Sequence, residues 1–228
     1  MLIGLVADVH SHADDLAAAL AVLRKRKVDQ VLTLGDTCDA FAPSDGSSNV
    51  TAMLDQCGAI GVWGNHDYTL CREITDDIRE RFSTQTLDWM GQMQPSLQID
   101  DCYFSHRAAD IDPHDIAGLW SMEDGKTDLH RRAMAGFQSV SQPRQFIGHF
   151  HQWAVATPTG LIDWQGETPI HLDRQEKHFV VIDAVFKGSC AVFDTTSGWL
   201  EPFRFETSQG GRKRFEIGLA GHPSDSGQ

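Results

Sequence analysis

The sequence predicts an α/β fold, in which parallel strands alternate with helices. Apolar runs and helical patterns alternate through its first quarter, in the order 2–7, 13–27, 30–34, 50–56 and 59–63. Strand, helix and strand at this spacing form βαβ units, and such units imply parallel pairing. The chain has 228 residues and is 41% hydrophobic, which is enough apolar material for a sizeable core.

The helix at residues 13–27 is the one that its sequence specifies best. Acidic residues occupy its first turn and a basic run, 24–27, occupies its last, and both match the helix dipole. Leu16, Leu20 and Leu23 recur at helical spacing, so we expect them to face the sheet.

The middle of the chain is predicted to be helical, with one long loop. Residues 68–93 carry a helical pattern, and a helix is expected to begin near Ser83. Residues 111–128 are rich in Asp, Gly and Pro and are predicted as a loop. Another helix is expected over residues 128–140, before an apolar run at 145–147.

The late part of the chain is rich in β-forming residues. The runs 179–185 and 189–194 are predicted to pair as antiparallel strands, with Lys187-Gly188 as the turn between them, and 199–205 adds another strand. We expect a single domain over residues 1–206. Residues 207–228, with Gly, Ser, Asp and Pro, resemble a flexible C-terminal tail.

The overall charge limits the partners that are expected. The net charge is −13 with a pI near 5.1, so binding to nucleic acid or to an anionic membrane is disfavoured. No apolar run approaches the length that spans a bilayer, and the first residues do not form a signal peptide. Five cysteines without a C-x-x-C favour reduced thiols. We therefore expect a soluble, cytoplasmic protein whose oligomeric state the sequence does not predict.

Five short polar motifs follow five apolar runs, one motif after each run. They are Asp8-Val9-His10, Gly35-Asp36, Gly64-Asn65-His66-Asp67, Ser105-His106 and Gly148-His149-Phe150-His151. In an open α/β sheet, the loops that leave the carboxyl ends of strands converge on one crevice. We therefore expect the polar side chains of these five loops to meet at one site.

Seven of these side chains are candidate metal ligands. They are Asp8, His10, Asp36, Asn65, His106, His149 and His151. A single structural zinc needs only four ligands, usually with cysteine among them, so seven ligands without a thiolate suit two divalent ions that share a carboxylate. The mixture of nitrogen and oxygen favours transition metals, namely Mn, Fe, Zn, Ni or Co, over Mg or Ca.

His66 is left over as a candidate general acid, and Asp67 is predicted to fix the orientation of its ring. A histidine held by a carboxylate is a common arrangement for proton transfer to a leaving group. Two metal ions roughly 3.5–4 Å apart can generate a hydroxide nucleophile and stabilise an in-line displacement at phosphorus. The set of residues therefore predicts hydrolysis of a phosphate ester.

In this order and placement, the motifs resemble those of the calcineurin-like metallophosphoesterase superfamily. That pattern is D-x-H, G-D, G-N-H-D/E, H and G-H-x-H, each after a strand, and all five elements match between Asp8 and His151. The compact bacterial phosphodiesterase-like branch is the nearest resemblance. It implies a two-sheet β sandwich flanked by helices, with the metal site at the carboxyl ends of the strands and the late β-rich segment in the second sheet.

The resemblance also implies how the ligands are divided. The first metal would take Asp8, His10, Asp36 and His151. The second would take Asp36, Asn65, His106 and His149, so that Asp36 bridges the two ions. His66 would be the catalytic acid.

Departures from the pattern bear on the substrate. The protein Ser/Thr phosphatases of the superfamily show G-D-x-x-D-R-G and G-N-H-E. Residues 35–40 here lack the Arg and the second Gly, and Asp67 replaces Glu, so protein phosphatase activity is disfavoured. Arg107, where Gly is common, is predicted either to contact a substrate phosphate or to form a surface ion pair. His12 is expected to face the cleft.

Three functional hypotheses follow. The first is a dinuclear metal-dependent phosphoesterase, acting on a small phosphodiester or phosphomonoester such as a nucleotide. The second is a non-catalytic interaction scaffold on the same fold, which the presence of His66 disfavours. The third is a dinucleoside polyphosphate hydrolase, which would use the same metals and the same acid.

Overall fold

The computed structural model describes residues 1–41, 45–120 and 126–208. The strands in these ranges are β1 Leu2–Val6, β2 Gln30–Thr33, β3 Ile60–Gly61, β4 Leu97–Ile99, β5 Cys102–Phe104, β6 Arg144–Ile147, β7 Ala154–Thr157, β8 Gly160–Ile162, β9 Ile170–His171, β10 His178–Val181, β11 Ser189–Asp194 and β12 Trp199–Arg204. The helices are α1 Ala13–Lys25, α2 Asp45–Gln56, α3 Tyr68–Cys71, α4 Asp76–Arg81, α5 Thr84–Met90, α6 Ile116–Leu119 and α7 Lys126–Ser139.

These strands form two mixed sheets of six. The first sheet has the order β3-β2-β1-β11-β12-β9 and the second has the order β4-β5-β6-β10-β7-β8. β1, β2 and β3 pair in parallel, which confirms the predicted βαβ units. β5, β6 and β10 form a second parallel group. The α/β fold with two sheets flanked by helices is therefore confirmed.

Side chains that alternate along β1 show how the layers are joined. Ile3, Leu5 and Ala7 pack in the cluster that includes Phe146 of the second sheet and Phe193 of the first. Val6 packs on the opposite face, in the cluster that contains Leu16 and Leu23 of α1. This period of two is the geometry of an extended strand, and it places one core between the sheets and another beneath the helices. The expectation that α1 faces the sheet is confirmed.

The predicted hairpin between the two late β-rich runs is wrong. β10 lies in the second sheet and β11 in the first, and the chain crosses between them through a single 3-10 turn at Val185–Lys187. Both strands are buried almost throughout, so neither carries the alternation that identifies a shared face. The late β-rich segment is therefore divided between the two sheets, and is not confined to the second. The pairing of β12 with β11 is antiparallel.

The middle of the chain is helical, as predicted. α5 begins after Ser83, whose hydroxyl accepts a hydrogen bond from the Thr86 amide at 3.1 Å. The predicted loop at 111–128 contains the one-turn helix α6, which Asp115 caps by accepting from the Ala117 amide. Residues 121–125 and the tail residues 209–228 lie outside the described residues. Within the described parts of the chain, no helix combines the length and apolarity needed to cross a bilayer.

Candidate metal centre

The five polar motifs lie at the ends of five strands. Three follow β1, β2 and β3 of the first sheet, and two follow β5 and β6 of the second. The site is therefore shared by both sheets, at the edge where the carboxyl ends of their parallel strands meet. The expected convergence of the five loops is confirmed, although the crevice belongs to two sheets and not to a single open one.

The backbone of these loops is turned sharply to bring the side chains together. Five motif residues have left-handed φ values between 46° and 67°: Asp8, His10, Asp36, His149 and His151. Residues other than glycine rarely adopt this backbone conformation, and it is concentrated at functional sites. Backbone hydrogen bonds hold it here, because the amides of Asp8 and His10 donate to Gly35 O and Asp36 O at 3.0 and 2.8 Å.

Glycine is required next to Asp36. A Cβ atom on Gly64 would overlap Asp36 Oδ1 and lie 2.6 Å from Asp36 N. The loop after β3 therefore approaches the loop after β2 closely only because residue 64 has no side chain.

The first group of ligand atoms comes from Asp8, His10, Asp36 and His151. These atoms all lie within 4.8 Å of one another. His151 Nε2 is 3.4 Å from Asp8 Oδ1, and His10 Nε2 is 3.7 Å from Asp36 Oδ2. Two carboxylates and two imidazoles at this spacing are a candidate cation site.

The second group comes from Asp36, His106 and His149, whose ligand atoms also lie within 4.8 Å. Asn65 joins them, because its Oδ1 is 3.0 Å from His106 Nε2 and 3.1 Å from His149 Nδ1. Asp36 belongs to both groups. Its Oδ2 atom, which faces His10 on one side, is 3.3 Å from His106 Nε2 on the other, so this one oxygen is placed to serve two ions.

The donor atoms fit bound divalent cations. His10 Nε2 is buried without a hydrogen-bond partner, which is costly unless another group binds that nitrogen. His106 Nδ1 is 2.7 Å from Leu34 O, so it donates its proton to this carbonyl and leaves the Nε2 lone pair for a metal. His149 Nδ1 lies only 3.2 Å from that Nε2, as two nitrogens do when they bind the same ion.

Burial and charge shift the pKa values of the group strongly. Burial by itself would raise the pKa of Asp36, but the imidazoles of His106 and His10 hold it far below its usual range. Burial would lower the pKa of His106, but the charge of Asp36 raises it to about 9. Burial lowers the pKa of His149, and His106 and Arg107 lower it further. A proton on His106 thus compensates a buried carboxylate that a cation would otherwise neutralise.

His66 contacts a carboxylate, but it is not that of Asp67. His66 Nδ1 is 3.3 Å from Asp39 Oδ1. Burial would lower the pKa of His66, but the contact with Asp39 and the charge of Asp36 raise it. The backbone amide of His66 also donates to Asp36 Oδ1 at 2.9 Å, which fixes the residue beside the ligand groups.

The prediction that Asp67 orients the His66 ring is therefore wrong. The buried Asp67 carboxylate accepts hydrogen bonds from three backbone amides, those of Thr37 at 3.1 Å, Cys38 at 2.9 Å and Gly64 at 3.1 Å. It ties the loop after β2 to the loop after β3. Burial and the nearby charge of Asp36 raise its pKa to about 6. Neighbouring position in the sequence favoured Asp67, whereas the fold brings Asp39 to the ring.

Arg107 contacts the second donor group, and His12 lies near a ring that faces the first. Arg107 is 3% exposed, so it is buried within the site, and its guanidinium contacts His149 Nε2. His12 Nδ1 is 3.2 Å from Asp15 Oδ2. The His12 ring is 5.8 Å from the ring of Phe186, which also faces His10 and His151. Contact of either residue with a substrate stays a prediction.

Comparisons with known proteins agree with this geometry. The family described as the calcineurin-like phosphoesterase superfamily domain matches residues 1–184. Among solved structures, the fold is similar to a metallophosphoesterase from Sphaerobacter thermophilus, with a TM-score of 0.72, 17% identity, and coverage of 91% of this chain and 89% of that one. A search of curated proteins found no match.

Two further structures are similar at lower scores. One is described as a proposed diadenosine tetraphosphatase, with a TM-score of 0.56, 17% identity, and coverage of 89% of this chain and 93% of that one. The other is the protein TT1561 of Thermus thermophilus, with a TM-score of 0.50, 12% identity, and coverage of 89% and 98%. At these identities the likeness shows a shared fold.

Proposed function

This chain belongs to the calcineurin-like phosphoesterase superfamily and is a phosphoric ester hydrolase. From that premise we propose that it hydrolyses a small phosphodiester or phosphomonoester at a dinuclear metal centre. The observation that carries the proposal is the Asp36 carboxylate, whose Oδ2 faces His10 on one side and His106 on the other. A single carboxylate between two groups of donors is the arrangement that two adjacent ions require. The proposed domain spans residues 1–206.

Each group of donors is assigned to one ion. The first ion would be held by Asp8, His10, Asp36 and His151, and the second by Asp36, Asn65, His106 and His149. Mn, Fe, Zn, Ni and Co suit this mixture of nitrogen and oxygen. When bound, two such ions activate water for attack and neutralise charge that develops on the phosphoryl oxygens.

His66 is proposed to donate a proton to the leaving group. Its Nδ1 faces Asp39, which leaves Nε2 as the nitrogen that reaches the leaving oxygen. The raised pKa keeps a larger share of the ring protonated near neutral pH, as a general acid requires. Arg107 and His12 are proposed as substrate contacts, and Asp67 as the residue that holds the two loops.

We test this function by elemental analysis, together with hydrolysis of bis-p-nitrophenyl phosphate after addition of Mn. We expect about two metal ions per chain. His66→Ala should keep the metal and lose about 10²–10⁴-fold in kcat for a diester with an alkyl leaving group, the range for removal of a general acid. The loss should be smaller for bis-p-nitrophenyl phosphate, because p-nitrophenoxide leaves with little need of a proton. His171→Ala is the matched control, since that exposed ring on β9 contacts Ser197 O.

Other outcomes would select the other hypotheses. Wild-type protein that retains no metal and turns over no ester with any divalent ion would favour the interaction scaffold. Strong preference for a dinucleoside polyphosphate, measured by competition against the diester, would favour the pyrophosphate hydrolase. A nucleotide among small phosphate esters is the proposed substrate, and a cytoplasmic location is proposed from the five free cysteines.

A further inference from the structure

Two aromatic side chains are exposed next to His66. Phe41 is 65% exposed and Trp120 is 36% exposed. Their ring centroids are 5.5 Å apart, with planes inclined by 68°. The His66 ring lies 4.7 Å from Trp120 and 6.2 Å from Phe41. We call Phe41 and Trp120 the aromatic pair.

Hydrogen bonds anchor the backbone at Phe41 and at Trp120. The Phe41 amide donates to Asp39 Oδ1 at 2.9 Å, the oxygen that also faces His66. Trp120 closes α6, where its amide donates to Ile116 O at 3.1 Å, and the preceding Leu119 is buried. These contacts therefore hold two large apolar rings that remain partly exposed to solvent, an unusual cost for side chains of this size.

The His66 ring is in contact with the aromatic pair as well as with a residue of the first donor group. The His66 ring is 4.7 Å from His10, which belongs to the first donor group, and 4.7 Å from Trp120. A general acid must touch the leaving oxygen. With the reacting phosphorus at the donor groups, a group attached to the leaving oxygen at His66 comes within reach of the aromatic pair, because the Trp120 ring is 4.7 Å from the His66 ring.

We propose that the aromatic pair binds a planar aromatic ring in the leaving group of the substrate, so that the enzyme prefers esters of a nucleoside or of another aryl-bearing alcohol. The proposal rests on the function proposed above. Two inclined rings offer one face for stacking and one edge for a T-shaped contact, the arrangements that aromatic pairs prefer. An aliphatic leaving group gains little from such a site.

The experiment compares two diesters that differ only in the leaving group. Methyl p-nitrophenyl phosphate has an aromatic leaving group, and methyl trifluoroethyl phosphate has an aliphatic one. For each variant, kcat/KM is divided by the wild-type value for the same ester, so the intrinsic reactivities of the two esters cancel. The variants are Trp120→Ala, Trp120→Phe and Phe41→Ala, with Trp199→Ala as control, an indole 50% exposed on β12.

We expect Trp120→Ala to lower kcat/KM for the aromatic ester about tenfold, mainly through KM, since a stacked ring is bound in the ground state too. Phe41→Ala should lower kcat/KM for the aromatic ester less than Trp120→Ala does. Trp120→Phe should retain most of the wild-type kcat/KM for that ester. The aliphatic ester should change less than about twofold in every variant. Equal losses for both esters, or no loss for either, would overturn the inference. If the wild-type protein hydrolyses neither diester nor the monoester p-nitrophenyl phosphate, the proposed function itself fails.

Discussion

Asp39→Asn is the substitution that tests most directly how His66 is controlled. Asp39 Oδ1 is 3.3 Å from His66 Nδ1, and both side chains are about three-quarters buried, at 24% and 23% exposure. Asparagine keeps an oxygen for the Phe41 amide, which donates to Oδ1 at 2.9 Å, but it removes the negative charge. The substitution therefore changes the electrostatics of the ring with little change in the local backbone.

The magnitude follows from the balance of effects on His66. Burial lowers the pKa of the ring, and Asp39 is the first of the groups that outweigh burial and raise it. Without the charge of Asp39, fewer groups offset the effect of burial, so the pKa of His66 falls. A partly buried ion pair at this distance contributes about 1 kcal/mol to the protonated form.

The assay is the pH dependence of kcat for a diester with an alkyl leaving group, which needs a proton more than p-nitrophenoxide does. We expect kcat near neutral pH to fall by up to about fivefold, the factor that corresponds to 1 kcal/mol, and the alkaline limb to move towards acid. The limb moves in that direction because the protonated acid is lost at a lower pH. Asp77→Asn, which removes an exposed carboxylate paired with Arg81, is the control.

Two results would refute this reasoning. If Asp39→Asn kept the wild-type kcat and the wild-type alkaline limb, the contact between Asp39 and His66 would have no catalytic role. The second result is that Asp67→Asn moves the alkaline limb while Asp39→Asn does not. In that case Asp67 would control His66, and its hydrogen bonds to the amides of Thr37, Cys38 and Gly64 would not be its main role.

Two further predictions concern the loops and the core. Gly64→Ala should abolish binding of both metals, because its Cβ would overlap Asp36 Oδ1. Gly58→Ala is the control: no atom lies within 4 Å of its Cβ, so it should keep both metals and lose only about 1 kcal/mol of stability for its left-handed backbone. Equal metal in both variants by elemental analysis would contradict this prediction. Phe146→Ala should lower the free energy of unfolding by about 3–5 kcal/mol in urea titrations, because the ring is fully buried between Phe104 and Phe193 at 5.2 and 4.8 Å. Phe146→Leu should cost less, and equal losses would show that the cavity does not set the cost.

The strand ends were predictable because each apolar run that reads as a strand is followed at once by a polar motif. The run before Asp8 is apolar and the residues after it are polar, and the same holds before Asp36 and His149. Parallel strands bring such ends to one edge, so the seven ligand candidates could be expected to meet without knowledge of the sheet order. α1 was predictable for a similar reason, since dipole-matching charges and a leucine stripe mark it locally.

Asp39 illustrates what the sequence patterns did not show. It is separated from His66 by 27 positions, and its contact depends on the loop after β2 folding back, with the Ala40 amide donating to His66 O at 3.2 Å. Asp67 was favoured over Asp39 because adjacent residues are easy to associate. The signal that could have identified Asp39 was its place three residues after Asp36, in the loop that follows the second motif.

The sequence by itself determined the fold class, the five loops and the chemical types of the donors, because these depend on local periodicity and on which side chains follow each strand. Tertiary structure alone decided that the loops come from two sheets, that β10 and β11 lie in different sheets, and that Asp39 contacts His66. It also decided that Phe41 and Trp120 meet beside that ring, although 79 positions separate them. Contacts between distant segments follow from packing and chain crossings, which local patterns do not encode when both faces of a strand are buried.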